Sequence, residues 1–229
     1  MDPERQLQDE FNRWADAGRG EEMEDHHRVI TEPVLPLMEL QPGQGVLDLG
    51  CGAGWATRLL AQRVAPGRAV GVDVSDEMIR RARLASAGLA NVEFLVGPAS
   101  KIPVADGTCD RVLSVESFYY YPDQEGALEE IRRVMARGGR LFILINLYRD
   151  NPYSLEWVNE LNVPVHVRSE ADYVSLLEAH GFAHVEARRV PDTSPTPDVY
   201  TGRWFRNAEE LRAFKRIGAL LLMGTKQAA

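Results

Sequence analysis

The chain has 229 residues, 45% of them hydrophobic and 26% charged, which is enough to bury the core of one sizeable domain. Its formal net charge is −8 and it contains no basic run, which argues against a nucleic-acid partner. The apolar runs are far shorter than the roughly 20 residues of a membrane-spanning helix, and the polar N-terminus lacks a hydrophobic signal segment. We therefore expect a cytoplasmic protein without a membrane span.

Two helices are predicted within residues 1–40, with a break at Gly18–Gly20 and a bend or restart at Pro33. We predict that they form a cap outside the main domain, residues 41–229. Their apolar side chains either dock the helices on the sheet or cover a ligand, in which case they act as a lid. The lid candidates are Phe11, Trp14 and Met23.

A glycine-rich turn follows an apolar strand in the segment VLDLGCGAGWAT, Val46 to Thr57. The strand ends near Asp48, the turn contains glycines 50, 52 and 54, and the next residues have helical spacing. Glycine lets a ligand lie against the backbone, and a helix N-terminus offers it free N–H groups. A dinucleotide fingerprint needs its third glycine where this chain has Trp55, and no Lys-Ser/Thr pair completes a P-loop. The turn predicts another nucleotide-like ligand.

These residues resemble motif I of the class I S-adenosylmethionine-dependent methyltransferases, in particular the "type 11" small-molecule branch. The resemblance implies that Gly50–Gly54 pack against the methionine part of the cofactor and that Asp48 holds its amino group. Asp73, at the end of the second predicted strand (69–74), is where an acid reaches ribose hydroxyls. Ser75 is the predicted N-cap of the next helix, with Met78 at the adenine edge.

The third predicted strand, 91–96, leads into a segment that departs from the resembled family. Family members commonly have an acid after the glycine, where it pairs with the adenine amino group, and this chain has Pro98 there. The resemblance leaves the Ala99 N–H and the Ser100 hydroxyl as adenine contacts. We therefore expect backbone and shape to hold most of the adenine.

The fourth predicted strand, 110–117, ends in a run of aromatic residues. The resembled family usually has two histidines where this chain has Tyr119 and Tyr120, and the resemblance places Val115 and Glu116 beside the cofactor. Ligands bind at the C-terminal ends of strands in open α/β sheets, so we expect Tyr119 nearest the sulfonium.

The apolar run 140–146 predicts a fifth strand buried on both faces. The following insertion, about 148–169, is longer than a connector needs to be and is assigned to the substrate pocket. Its candidate substrate contacts, besides Tyr119, are Tyr148, Tyr153 and Trp157. Tyr119, Tyr120 and His166 are the candidates for orienting or deprotonating an acceptor, and no catalytic residue is singled out by spacing.

The remainder predicts a helix over 169–180 that starts with a capping box from Ser169 to Asp172. A sixth strand (183–190), a proline-rich loop, a helix (207–217) and a last strand (218–226) follow. Trp204 and Phe205 either border the pocket or dock the loop. No histidine or cysteine pair has the spacing of a metal site, so none is predicted.

Alternating strands and helices predict a doubly wound, mainly parallel sheet. The resemblance makes this a Rossmann-like seven-stranded sheet with an antiparallel edge strand, helices on both faces and an N-terminal helical lid. It implies S-adenosylmethionine as cofactor and methyl transfer as the reaction. The aromatic residues on the segments after strands four and five favour a small, mostly apolar or aromatic acceptor, and a homodimer is a possible assembly. A regulatory protein that binds the cofactor without turnover, and an NAD-dependent oxidoreductase, are the alternatives. The predicted cofactor contacts are Asp48, Gly50, Cys51, Gly52, Gly54, Asp73, Val74, Met78, Ala99, Ser100, Val115 and Glu116.

Overall fold

Two N-terminal helices precede the sheet, and seven strands interspersed with five further helices follow in the described part of the chain. The structure, a computed structural model, describes residues 2–227, and of residues 21 and 22 the backbone only. The strands are β1 Gly45–Leu49, β2 Arg68–Asp73, β3 Val92–Val96, β4 Cys109–Val115, β5 Met135–Ile145, β6 Phe182–Val190 and β7 Ala219–Lys226. The helices are α1 Pro3–Asp16, α2 Arg19–Thr31, α3 Trp55–Val64, α4 Asp76–Ala85, α5 Gln124–Val134, α6 Glu170–Ala179 and α7 Ala208–Ile217. Short 3₁₀ segments cover Glu32–Met38, Phe118–Tyr120 and Pro152–Glu160.

The strands form one sheet in the order β3-β2-β1-β4-β5-β7-β6. Strands β1 to β5 are parallel to one another, whereas β7 runs antiparallel to both β5 and β6. The predicted mainly parallel sheet with antiparallel pairing at one edge is confirmed, and the antiparallel strand β7 lies one place in from that edge. From β1 the strand order proceeds outward to β2 and β3 on one side and to β4 and β5 on the other. The C-terminal ends of β1 and β4 therefore flank the crevice where such folds bind ligands.

Both faces of the sheet are covered, which explains the continuous apolar run in β5. Leu141 and Ile143 pack into one cluster of buried residues, and Phe142 and Leu144 pack into another. Successive side chains of a strand point to opposite faces, so a strand between two helical layers must be apolar throughout. None of the helices in the described part of the chain has the length and hydrophobicity needed to cross a bilayer.

Helix ends follow the local signals in the sequence. The Ser75 side chain accepts a hydrogen bond from the Met78 N–H and caps α4, as predicted. Ser169 and Asp172 form the predicted capping box at the start of α6. The N-terminal segment breaks at Gly18 before α2, and α2 ends at Thr31, immediately before the 3₁₀ segment that contains Pro33 and Pro36. Each cap satisfies backbone N–H groups that have no partner inside the helix.

The first helix lies against the C-terminal end of β2 and the start of α4. Gln8 donates a hydrogen bond to the Val74 carbonyl at 3.0 Å. Asn12 donates to the Asp76 carboxylate at 2.8 Å and accepts from the Ser75 hydroxyl at 2.6 Å. These side-chain bonds hold α1 over the edge of the sheet at which the parallel strands end.

Candidate active site

The glycine turn is a tightly packed link between β1 and α3. Gly50 has φ of 76°, and a Cβ there would lie 2.4 Å from the Ser117 Cβ, so no other residue fits without displacement. The N–H groups of Gly50 and Cys51 both donate to the Val72 carbonyl, at 2.8 and 3.0 Å. A Cβ at Gly52 would meet no protein atom within 4 Å. The turn is therefore fixed on its inner side and open to a ligand at Gly52.

Two acids border this turn. Asp48 is 2% exposed and accepts a hydrogen bond from the Thr57 hydroxyl at 2.6 Å. Burial raises its pKa to about 6, and the nearby Asp73 adds to the rise. Asp73 accepts from the N–H groups of Gly52 and Ser75, at 2.8 and 2.9 Å, and burial raises its pKa as well. A cationic group or a pair of hydroxyl donors would compensate for the cost of burying these carboxylates.

A third acid, Glu116, lies where β4 ends. Its φ is 51°, in the left-handed region that costs free energy for a residue other than glycine. The carboxylate accepts hydrogen bonds from the Tyr119 hydroxyl at 3.0 Å and from the Asn146 N–H at 2.5 Å. Burial nevertheless raises the pKa of Glu116 to about 7. It is thus an acid whose proton is exchanged near neutral pH.

One cavity of about 890 Å³ joins these groups. Its volume lies within the range of small-molecule sites. It extends from the glycine turn, under α1 and α2, to a wall made by residues 192–215. The predicted site residues in its lining are Asp48, Gly50, Cys51, Gly52, Asp73, Val74, Met78, Ala99, Val115, Glu116, Tyr119, Tyr120 and Trp157.

Comparisons with known proteins agree with this geometry. A family model described as "Methyltransferase domain" matches residues 47–143. The O-methyltransferase rstn1 of Aspergillus nomiae is 30% identical over 79% of this chain and 83% of its own length. A solved chain from the complex of the Haloferax volcanii Trm112 methyltransferase activator with a methyltransferase is 33% identical, with a TM-score of 0.89 over 96% of this chain and 98% of that one.

The chain belongs to the class I S-adenosylmethionine-dependent methyltransferase family. S-adenosylmethionine is the cofactor of this family, and the turn open at Gly52 and the two buried acids fit a ligand with an amino group and ribose hydroxyls. The chain spans about a quarter to a half of the length of the first curated relatives it matches. Among these is the arsenite methyltransferase of Halobacterium salinarum, 40% identical over 45% of this chain and 27% of that protein.

Five predicted residues of the methyltransferase lie outside the cavity lining. Gly54 supports packing, because a Cβ there would lie 2.5 Å from the Phe94 ring. Tyr148 is fully buried, its hydroxyl donates to the Gly218 carbonyl at 2.8 Å, and Arg189 lies over its ring. The other three are Ser100, Tyr153 and His166. The backbone N–H of His166 donates to the Tyr119 carbonyl at 2.8 Å.

The lid and loop candidates do reach the cavity of the methyltransferase. Phe11, Trp14 and Met23 line it, and so do Trp204 and Phe205. Further lining residues were not predicted, because neither the periodicity of α2 nor the irregular loop shows which side faces the cavity. They include Glu4, Arg19, His26, His27, Asp192 and Lys215.

Proposed function

We propose that this methyltransferase transfers a methyl group from S-adenosylmethionine to a small, mostly apolar or aromatic acceptor. The observation that supports this most is one continuous cavity, which joins the glycine turn and its acids to an aromatic wall. This wall consists of Tyr119, Tyr120, Trp157, Trp204 and Phe214. The two ligands can therefore meet inside one continuous cavity. Calorimetric titration with S-adenosylhomocysteine against NAD, followed by a methyl-transfer screen of small acceptors, tests the proposal. A regulatory protein would bind the cofactor and transfer nothing.

The strand order supports a specific orientation for the cofactor. The glycine turn after β1 would take the methionine part, with Asp48 near the amino group. Asp73 ends the neighbouring strand β2 and would accept hydrogen bonds from the ribose hydroxyls. Met78 and the Ala99 N–H lie farther along the same edge and would contact the adenine.

Aromatic side chains form the part of the cavity proposed for the acceptor. The rings of Tyr119 and Tyr120 lie 4.5 Å apart, and Trp157 packs 5.2 Å from Phe214 and 5.9 Å from Trp204. Aromatic surfaces favour apolar and aromatic ligands. Among the described residues the buried indole N–H of Trp157 has no hydrogen-bond partner. We therefore propose that the acceptor carries an oxygen or nitrogen that accepts from this N–H.

The cofactor supplies, when bound, a methyl group on a sulfonium that is already electrophilic. The protein's part is to hold the acceptor atom in line with that methyl group, to exclude water and to take the acceptor's proton. Glu116 lies beside the aromatic wall and is proposed to take this proton. Burial and the charge of Glu116 raise the pKa of Tyr119 well above its usual value, so Tyr119 stays a phenol that orients the carboxylate.

Cofactor binding is expected to weaken in acid because of Asp48. Its raised pKa, about 6, means that below pH 6 the carboxyl of the free protein is protonated and no longer attracts an ammonium group. The groups facing it include Asp73, Cys51 and Arg58. The Kd for S-adenosylhomocysteine, measured by calorimetry from pH 8 to pH 5, should be constant above pH 7 and rise toward tenfold per pH unit below pH 6. A constant Kd down to pH 5 would contradict the role of Asp48.

The aromatic wall gives a prediction about turnover. Replacing Trp157 by Ala should lower kcat/KM for the acceptor by about 10- to 100-fold, since it removes a large apolar contact and the indole N–H. S-adenosylhomocysteine affinity should not change, because the cofactor uses other segments. Tyr153→Ala, in the same segment but outside the cavity lining, is the matched control. The proposal fails if folded Trp157→Ala protein turns over the acceptor as fast as the Tyr153→Ala control.

The similarity to the chain solved with Trm112 supports a protein partner in addition to a small-molecule substrate. We propose that this methyltransferase also assembles with a small activator protein of that kind. Size-exclusion chromatography of the chain alone and mixed with such a protein tests this. A homodimer that ignores the activator is the opposing outcome.

A further inference from the structure

The adenine base of the proposed cofactor needs a hydrogen-bond acceptor that the expected segment does not provide. The amino-acid tail would lie at the end of β1 and the ribose at the end of β2, so the base extends to the end of β3, the next strand outward. Residues 97–100 follow β3 and read Gly-Pro-Ala-Ser, without a carboxylate. The exocyclic amino group of adenine is a donor, and burying it unpaired would weaken binding.

A carboxylate near the N-terminus of the chain reaches the segment after β3. Glu4 lies in the first turn of α1, lines the cavity, and accepts a hydrogen bond from the Ser100 hydroxyl at 3.0 Å. The other acids in the lining lie elsewhere: Asp48 and Asp73 at the glycine turn, Glu116 after β4, and Asp192 in the far wall. Glu4 is thus the lining acid that is bonded to the segment after β3.

The position of Glu4 is fixed from two sides. Ser100 uses one of its oxygens, Oε1, and the described contacts assign no partner to Oε2. The helix itself is held by the bonds from Gln8 to Val74 and from Asn12 to Asp76. Partial burial raises the pKa of Glu4, while the Ser100 bond opposes the rise, as expected for an acid that faces a cavity.

We propose that Glu4 accepts a hydrogen bond from the adenine amino group and thereby makes α1 part of the cofactor site. This inference rests on the proposed function. Glu4 would select adenine over a base that presents a carbonyl at the same position, because a carboxylate and a carbonyl are both acceptors and repel each other. Ser100, which lies outside the lining, acts as a positioning residue that holds the carboxylate in place.

The test compares two ligands that differ at this group and in the protonation of the neighbouring ring nitrogen. S-adenosylhomocysteine has the amino group, and its deaminated analogue, S-inosylhomocysteine, has a carbonyl in its place. Calorimetry at pH 8 should show that the unaltered protein prefers the adenine ligand by about tenfold or more. Glu4→Gln should lose most of this preference, because an amide can either accept from the amino group or donate to the carbonyl.

Two further variants complete the test. Asp9→Asn changes an acid on the same helix that pairs with Arg5 and does not line the cavity, so it should keep the full preference. Ser100→Ala should give an intermediate preference if it positions Glu4. Equal preference in the unaltered protein and in folded Glu4→Gln overturns the role of Glu4 and leaves the proposed function intact. Failure of the unaltered protein to bind either ligand overturns the proposed function itself.

Discussion

Replacing Glu116 by glutamine is expected to slow methyl transfer by about 100-fold or more, the usual contribution of a positioned general base. The pKa of Glu116 is raised to about 7, so in the unaltered protein the rate should rise with pH and level off above pH 7 as the carboxyl loses its proton. The variant should show a low rate without this rise. Initial rates, measured from pH 5.5 to pH 8.5 with saturating S-adenosylmethionine and an acceptor from the screen, check both statements.

Stability measurements separate this effect from misfolding. The folded-state pKa of Glu116 lies above its ordinary value of 4.5, so the folded protein binds its proton more tightly and loses stability as the pH rises from about 4.5 to 7. Glu116→Gln has no such charge and should be at least as stable as the unaltered protein at pH 8. Glu129→Gln, an exposed acid on α5, is the matched control. A wild-type rate and pH profile in Glu116→Gln would exclude Glu116 as the base.

Replacing Asp73 by alanine is expected to weaken S-adenosylhomocysteine binding by about 100-fold. The change removes the proposed contacts to two ribose hydroxyls, each worth about 1.5–3 kcal/mol when charge-assisted. It also leaves the N–H groups of Gly52 and Ser75 without their acceptor, which loosens the turn that holds the methionine part. Asp73→Asn keeps one acceptor oxygen, so its affinity should lie between those of Asp73→Ala and the unaltered protein. Calorimetry measures the Kd of each variant.

Asp198→Asn is the control for this series, because Asp198 is exposed and is absent from the cavity lining. Its affinity should match that of the unaltered protein. The melting temperature of each variant shows whether the loss of binding comes from the site or from the fold. An unchanged Kd in folded Asp73→Ala would remove Asp73 from the cofactor site.

Local signals predicted the parts of the structure that depend on neighbours in sequence. The glycine turn, the Ser75 cap and the capping box at Ser169 each need only a few adjacent residues, and each is found where expected. The burial of β5 on both faces was likewise predictable from its unbroken apolar run.

Side-chain direction outside regular elements was not predictable in the same way. Tyr148 and Tyr153 follow β5 and were expected in the pocket, yet Tyr148 turns into the core and Tyr153 lies outside the lining. No period of 2 or 3.6 residues operates in that segment to set a face. The position of Glu4 was not predictable for another reason. Its contact with Ser100 depends on how α1 packs across the sheet, and no local pattern encodes a contact between residues so far apart in sequence.

β7 lies between β5 and β6 in the sheet but is the last strand along the chain. During synthesis β1 to β5 can pair as they appear, whereas β6 has to wait, because its partner β7 is made after it. The loop and helix that carry Trp204, Phe205 and Phe214 lie between these two strands. The chain therefore builds its glycine turn early and the far wall of the cavity last.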